Sequence, residues 1–209
     1  MGLLVTLEGP EGSGKSTALR SVALALRDEW DVLLTREPGG TPLGERLREI
    51  LLTSDIQIDP RAEALLMTAA RAQHVATVLR PALAASERAL VLCDRYVDST
   101  LAYQGAGRGL CERELLASQQ LATGGLLPDL TILIDVPVEV GLQRRSRAGG
   151  ANRIDAETVA FHERVAEWYR AAARSQPQRW VVVDGQAHPE HVARHIVDVI
   201  RTRSERTIR

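Results

Sequence analysis

The chain has 209 residues, of which 44% are hydrophobic and 25% charged, and its 26 basic and 27 acidic residues leave a net charge of −1 at pH 7. This composition is typical of a globular domain and excludes disordered, collagen-like and disulfide-rich chains. The balanced charge and the 3% of aromatic residues argue against binding to nucleic acid. No apolar run reaches the ~18 residues of a membrane span, so we expect a cytoplasmic protein without membrane contact.

Five short, nearly continuous apolar runs alternate along the chain with longer segments of helical periodicity. The runs are typical of strands covered on both faces, and in chain order they lie at 3–7, 31–35, 89–93, 131–135 and 180–183. The segments between them predict helices at 15–27, 42–52, 60–86, 112–123, 138–147, 155–173 and 189–203. Strands that alternate with helices indicate crossover connections and a parallel sheet. We therefore predict an α/β fold with helices on both faces of a doubly wound, five-stranded sheet, in one domain over 1–209.

The segment that follows the first predicted strand, GPEGSGKS at 9–16, matches the phosphate-binding P-loop pattern G-x-x-x-x-G-K-[ST]. Glycines let such a loop turn its backbone N–H groups toward phosphate oxygens, and the following helix N-terminus adds positive charge. We expect Lys15, the only lysine of the chain, to reach the β- and γ-phosphates, and Ser16 to bind Mg²⁺. The predicted ATP-binding residues of this segment are Gly9, Pro10, Glu11, Gly12, Ser13, Gly14, Lys15, Ser16 and Thr17.

A P-loop by itself indicates only a nucleoside triphosphate. A switch GTPase also needs an N-K-x-D motif to bind its base, and the only asparagine of this chain, Asn152, is followed by Arg153. A motor or large ATPase would need a longer chain. The sequence therefore favours a kinase of a small acceptor.

Two further motifs come directly after predicted strands. REPGGT at 36–41 follows the second strand, and DRY at 94–96 follows the third, with STLAYQG close behind at 99–105. Ligands of open parallel sheets bind at the carboxyl ends of the strands. There Asp94 could hold Mg²⁺ through a bound water, and Arg95 could bind a phosphate with its two-pronged guanidinium.

Together these segments resemble the thymidylate kinases of the nucleoside-monophosphate kinase superfamily. The resemblance rests on the P-loop, on 36–41, on ARAQ at 70–73, on 94–104 and on NRI at 152–154. It implies that Arg95 binds the phosphate of dTMP and that Glu11 faces the 3′-hydroxyl of its sugar. It also implies that Glu37 and Asp94 lie near Mg²⁺ and the phosphoryl group in transfer.

The same resemblance places the thymine site on the predicted helix 60–86 and on the segment after the third strand. Arg71 and Thr100 would bind the edge of the base, with Gln104 alongside, and Tyr103 would crowd the 2′ position of a ribonucleotide. The family commonly stacks an aromatic ring on thymine four residues before this arginine, where this chain has Met67. A thioether packs on a ring, but stacking is weaker, so Met67 lowers the expected selectivity for thymine; filling the core is the alternative role of this side chain.

A cluster of arginines surrounds a glycine pair at 144–155, which we predict to be a lid over ATP. Phosphoryl transfer between two anions needs cations over the transferring group, and the P-loop has no basic residue at 10–13. The chain resembles the class of thymidylate kinases that supplies this charge from the lid. We expect Arg153 to make the transition-state contact, followed by Arg147 and Arg144; for each arginine, an exposed helix face is the alternative.

These observations predict an Mg²⁺-dependent kinase that converts ATP and dTMP to ADP and dTDP. Two alternatives stay open at this stage. The first is a kinase of another acceptor, such as dUMP, a deoxynucleoside or a non-nucleotide metabolite. The second is a regulatory module that binds nucleotide without turnover. The apolar pattern of 60–86 and the habit of the family also predict a homodimer.

Overall fold

The computed structural model describes residues 2–53, 56–149 and 152–207. Its sheet has five parallel strands in the order β2–β3–β1–β4–β5. The strands are β1 (Leu3–Glu8), β2 (Asp31–Arg36), β3 (Ala89–Asp94), β4 (Leu130–Asp135) and β5 (Trp180–Asp184). The predicted α/β fold and all five strands are confirmed. Because the winding reverses direction at β1, a crevice opens at the carboxyl ends of β1, β3 and β4, which is where such sheets bind ligands.

Helices connect the strands and cover both faces of the sheet. They are α1 (Lys15–Leu26), α2 (Pro42–Thr53), α3 (Pro60–His74), α4 (Arg80–Ala85), α5 (Val97–Thr100), α6 (Glu112–Thr123), α7 (Val138–Ala148), α8 (Val159–Ser175) and α9 (Pro189–Thr207). The alternation of side chains along β1 divides the core between the two faces. Val5 and Leu7 pack with α1 and α9, whereas Leu4 packs on the opposite face with the segment that joins α3 to α4. Within the described ranges, none of the helices has the length and apolar character needed to cross a membrane.

The single helix predicted at 60–86 is divided by a π-helical turn at Val75–Leu79. The backbone N–H of Arg80 bonds to the carbonyl of Val75, five residues back. Pro81 follows directly, and proline lacks an N–H and crowds the carbonyl four residues before it. A local widening of the helix accommodates this proline within a continuous helical run, which helical periodicity alone did not predict.

A second π-helical segment, Leu101–Gly107, continues α5 in a stretch for which the sequence predicted no helix. Gly107 explains why this helix lies so close to α8, because a Cβ atom at that position would come within 2.5 Å of the Phe161 ring. The predicted helix 155–173 begins later, at Val159, since Thr158 acts as its N-cap and accepts a hydrogen bond from the N–H of Phe161. Both differences arise from contacts and caps that the apolar pattern does not encode.

Candidate active site

The P-loop lies between β1 and α1 and encloses the side chain of Lys15. The ammonium donates to the carbonyls of Gly9 at 2.9 Å and Pro10 at 2.8 Å, and to the Ser13 hydroxyl at 3.1 Å. Burial, with the nearby charge of Arg95, lowers the pKa of Lys15 to about 8. The loop opens into a cavity of about 620 Å³, and residues 11–18 form one wall of it. A loop of this kind, with a cation enclosed in it, could hold a polyphosphate.

Ser16 and Asp94 meet at the mouth of this cavity. The Ser16 hydroxyl donates to Oδ2 of Asp94 at 2.7 Å, joining the first turn of α1 to the end of β3. Hydroxyl and carboxylate oxygens are the ligands that Mg²⁺ prefers, usually together with waters and substrate phosphates. The pair therefore fits the predicted metal site.

Arg95 follows β3 and lies at the junction between the P-loop and a second cavity. Its Nη2 donates to Oε1 of Glu11 at 2.8 Å and its Nη1 to the Gly9 carbonyl at 3.1 Å, while its guanidinium carbon lies 4.8 Å from the centre of the Tyr103 ring. Burial alone would raise the pKa of Glu11, but the charges of Arg95 and Lys15 and the Tyr103 hydroxyl lower it to about 2. Glu11 is therefore a carboxylate at any pH at which the protein works.

The second cavity lies beside Arg95 between α2, α3 and the π-helical segment after α5. It brings together all eight residues predicted to bind the acceptor: Glu11, Glu37, Met67, Arg71, Arg95, Thr100, Tyr103 and Gln104. Met67 is only partly buried and faces this cavity, so it does not serve simply to fill the core. The two cavities share Glu11, Glu37, Arg48, Arg95 and Asn152 in their walls.

Arg71 is held rigidly in the floor of the acceptor cavity. Its Nε donates to Oε2 of Glu37 at 2.6 Å, its Nη1 to Thr100 Oγ1 at 2.8 Å and to the amide oxygen of Gln119, and its Nη2 to the carbonyl of Tyr96 at 2.9 Å. The guanidinium is thus oriented by four partners, and a base that contacts it meets a fixed surface.

Glu37 accepts hydrogen bonds on both of its oxygens. Arg71 binds one, and His74 Nδ1 lies 2.9 Å from the other. His74 Nε2 in turn lies 2.7 Å from the Thr35 hydroxyl. A carboxylate can only accept, so Nδ1 of His74 carries a proton and donates to Glu37.

Glu63 lies behind the wall of the same cavity, where it binds the lining residue Gln104. Its fully buried carboxylate accepts hydrogen bonds from Gln104 Nε2 at 2.8 Å, from Arg108 Nη2 at 3.2 Å and from Arg153 Nη2. Burial would raise the pKa of Glu63, but these donors lower it. Arg153 also donates through Nε to the carbonyl of Leu51 at 3.0 Å. Arg153, which we predict to contact the transition state, therefore places its guanidinium against α2 and α3 in this structure.

The other predicted lid arginines occupy different positions. Arg144 lines the P-loop cavity and donates from Nη1 to the carbonyl of Gly185 at 2.7 Å. Arg145 lines the same cavity and is paired with Asp155 at 2.9 Å, whereas Arg147 is exposed on the last turn of α7. Residues 150 and 151 of the predicted lid, 144–155, lie outside the described residues.

Comparisons with known proteins agree on one family. The family model described as thymidylate kinase matches residues 7–196. The thymidylate kinase of Thermomicrobium roseum is 57% identical over 195 residues, covering 92% of this chain and 91% of that protein. The thymidylate kinase of Pseudomonas putida strain GB-1 is 51% identical over 197 residues, covering 93% of each. The crystal structure of thymidylate kinase from Ehrlichia chaffeensis aligns with a TM-score of 0.78 at 30% identity, over 96% of this chain and 98% of that one.

The chain belongs to the thymidylate kinase family. It is therefore an ATP-dependent phosphotransferase whose acceptor is the phosphate of dTMP. Membership of this family decides against the two alternatives that the sequence left open, another acceptor and a module without turnover.

Sequence reasoning missed Arg48, which lines both cavities of this thymidylate kinase. It also missed five residues that bind the lining side chains from behind: Glu8, Glu63, His74, Gln119 and Tyr169. Arg48 lies on α2 at the junction of the cavities and donates to the carbonyl of Pro38 at 2.9 Å. The sequence did offer a sign of this role. Arg48 lies early in the helix that follows the REPGGT motif, and that helix starts at the carboxyl edge of the sheet. The charged residues of buried strand and helix faces, Glu8 and Glu63, could have been noticed as costly to bury.

Proposed function

We propose that the γ-phosphoryl group passes from Mg·ATP to dTMP at the junction where the two cavities meet. ATP would lie over the P-loop and dTMP in the cavity beside Met67 and Arg71. The observation that carries this arrangement is the shared wall of the cavities, because Arg95 and Glu11 line both. Two phosphates bound on either side of that wall would approach each other directly, as transfer requires.

On the donor side, Lys15 would bind the β- and γ-phosphates in place of the Gly9 and Pro10 carbonyls that it now contacts. Residues 9–17 would contribute the backbone N–H groups around the phosphates. Ser16 would bind Mg²⁺ directly, and Asp94 would hold it through a bound water. When bound, the metal neutralises charge on the β- and γ-phosphates.

On the acceptor side, Arg95 would receive the dTMP phosphate and Glu11 would face the sugar, with the Tyr103 ring limiting space at the 2′ position. Arg71, Thr100 and Gln104 would bind the base edge, while Met67 would pack on the ring and Glu37 would hold Arg71 in place. The second pKa of a phosphate monoester is ~6, so the attacking oxygen is ionised at neutral pH. Catalysis would then need alignment and charge neutralisation, and no general base.

The arginines of 144–155 would supply the remaining positive charge. Arg144 and Arg145 line the donor cavity in this structure. Arg153 would have to exchange Glu63 for a phosphate oxygen to make the transition-state contact, and Arg147 would have to turn inward from the surface. An arginine placed over the transferring group can raise the rate ~10³–10⁵-fold. The exchange of Glu63 for a phosphate oxygen would therefore contribute strongly to catalysis.

We further propose that the enzyme is a cytoplasmic homodimer. Large apolar side chains stand exposed on α3 and α6, two helices that pack against each other: Leu65 is 64% exposed, Leu116 48% and Leu121 85%. Sedimentation equilibrium of the wild type and of Leu121→Glu tests the dimer. A monomeric wild type would refute it.

The test of the proposed function is ADP release from Mg·ATP by the purified enzyme with dTMP, dUMP, dGMP, AMP, CMP and thymidine. We expect a strong preference for dTMP, since the acceptor cavity combines a phosphate-binding arginine with base-binding side chains. An equal rate with dUMP would show that Met67 does not select the thymine methyl group. Turnover with thymidine in place of dTMP would remove Arg95 from its proposed role.

A further inference from the structure

Glu8 is a buried carboxylate that lines neither cavity. It is the last residue of β1 and is fully buried, on the sheet face that β1 turns away from α1. Burying a carboxylate is costly unless hydrogen bonds and nearby charge compensate for lost water. The partners of Glu8 therefore indicate what the carboxylate does for the molecule.

All of its hydrogen-bond donors surround Arg95. Oε1 of Glu8 accepts from the backbone N–H of Tyr96 at 2.8 Å. Oε2 accepts from the Ser99 hydroxyl at 2.6 Å and from the Tyr169 hydroxyl at 2.9 Å. The same two hydroxyl oxygens lie 3.2 and 3.3 Å from Nη1 of Arg95. Glu8 is thus linked to Arg95 through one peptide and two hydroxyl groups.

The peptide link supports an unusual backbone conformation. Arg95 has a φ of 68°, and it is the one residue other than glycine with a positive φ in the described part of the chain. Side chains disfavour this left-handed region, so surrounding bonds must hold it. The N–H of Arg95 donates to the Leu7 carbonyl at 3.0 Å, and the following N–H, of Tyr96, donates to Glu8. The end of β1 therefore holds the peptides on both sides of Arg95.

The Ser99 and Tyr169 hydroxyls can hold the Arg95 side chain only when their oxygens, and not their protons, face its guanidinium. The Ser99 and Tyr169 oxygens also lie 2.8 Å from each other, where either hydroxyl could donate. An ionised carboxylate only accepts hydrogen bonds, so Oε2 draws the hydroxyl protons to itself. Their oxygens are then free to accept from Nη1 of Arg95. An amide at position 8 would place its NH₂ group in one of two unfavourable positions. Against these hydroxyls it would turn at least one of their protons toward the guanidinium, and against the backbone N–H of Tyr96 it would face another donor.

We propose that Glu8 is a positioning residue for Arg95, which orients the guanidinium toward the acceptor phosphate. This inference rests on the proposed role of Arg95 in binding dTMP. The electrostatic surroundings of Glu8 are consistent with it. Burial, with the nearby Asp98 carboxylate, raises the pKa of Glu8 to about 7, while the charge of Arg95 opposes this shift. The guanidinium of Arg95 therefore favours the ionised form of Glu8.

The experiment compares the binding of dTMP and of thymidine, which lacks the phosphate, by calorimetry. The full-length enzyme is used without ATP at about pH 8.5, where the acceptor phosphate, with a second pKa of ~6, is fully ionised. We expect Glu8→Gln to weaken dTMP binding ~10-fold or more, as for a weakened hydrogen bond to a charged group, and to leave thymidine binding within about twofold. A purely structural role of Glu8 would not separate the two ligands.

Thr6→Val is the matched control. Thr6 is fully buried on the same strand and face, and its hydroxyl bonds at 3.1 Å to that of Thr131 rather than to Glu8 or Arg95. This variant should lower the melting temperature and leave the ratio of the two dissociation constants unchanged. Equal losses of dTMP and thymidine binding in Glu8→Gln, or no loss of either, would overturn the inference.

Two further variants keep the inference testable if Glu8→Gln does not fold. Ser99→Ala and Tyr169→Phe each remove one hydroxyl between Glu8 and Arg95, and each should weaken dTMP binding selectively; if neither does, Glu8 does not act through Arg95.

Arg95→Ala separates this inference from the proposed function. An unchanged ratio in Arg95→Ala would refute the role of Arg95 itself, whereas a change confined to Arg95→Ala would refute only the role of Glu8.

Discussion

Nη2 of Arg95 lies 2.8 Å from Oε1 of Glu11, and this ion pair joins the end of β3 to the P-loop. Each residue lines both cavities. The contact therefore places the proposed acceptor-binding cation directly against the donor loop. An acceptor phosphate in the proposed site would compete with the Glu11 carboxylate for this guanidinium, which already lies in the shared wall of the two cavities.

Lys15→Ala should abolish turnover while the enzyme stays folded. The Lys15 ammonium is the cation of the P-loop, and its hydrogen bonds in this structure go only to the loop itself. Removing it takes away the charge that binds the β- and γ-phosphates, but no core contact. ADP release and the melting temperature measure the two effects. Wild-type turnover in this variant would refute the assignment of the phosphate site.

Arg153→Ala should reduce kcat by at least ~10-fold with a much smaller change in KM, because a contact made only in the transition state acts on kcat. It should also destabilise the fold by ~1–3 kcal/mol, since the buried Glu63 loses one of its donors.

Arg108→Ala is the matched control for this variant. Arg108 is the other arginine bound to Glu63 and lies outside the predicted lid. It should show a comparable loss of stability in urea unfolding and keep kcat. If Arg153→Ala and Arg108→Ala behave alike in both measurements, Arg153 serves only to neutralise Glu63.

Met67→Ala should weaken dTMP and thymidine binding by the same factor, ~10-fold, because the thioether packs on the base and not on the phosphate. This pattern is the opposite of that expected for Arg95. Arg61→Ala, at an exposed position in the first turn of α3, should leave both ligands unaffected. Calorimetric titrations of the two ligands check the prediction, and a loss restricted to dTMP would contradict the proposed placement of the base.

The free energy of unfolding should depend on pH through Glu8. Burial and Asp98 raise its pKa from 4.5 to about 7, and Arg95 is the opposing charge. A group whose pKa is raised on folding contributes stability that is fully present below its unfolded pKa and is lost as the pH rises through its folded pKa. The difference in free energy of unfolding between wild type and Glu8→Gln should therefore shrink by about 3 kcal/mol from pH 4.5 to about 7. Urea unfolding across this range measures it, and parallel pH profiles for the two proteins would contradict the shift.

The sequence by itself was sufficient for the features that depend on neighbouring residues. The five strands, their alternation with helices and the P-loop at 9–16 all follow from local periodicity and from contiguous motifs, and the fold they predict is confirmed. The acceptor motifs could also be recognised in the sequence, because they directly follow strands whose carboxyl ends share one edge of the sheet. That edge brings residues 36–41 and 94–104 to one cavity.

The pairing of buried charges was decided only by the tertiary structure. Arg153 and Glu63 are 90 positions apart, and Tyr169 and Glu8 are 161 apart. No local pattern relates such positions, since the energy of a charge pair depends on distance and burial after the elements have packed. The arginine cluster at 144–155 predicted cations near a phosphate, but which acid each guanidinium meets depends on how α2, α3 and α8 pack around the end of β1. Which partner each charged side chain meets is therefore decided by the folded molecule. The phosphate loop and the order of the strands and helices can be predicted from the sequence.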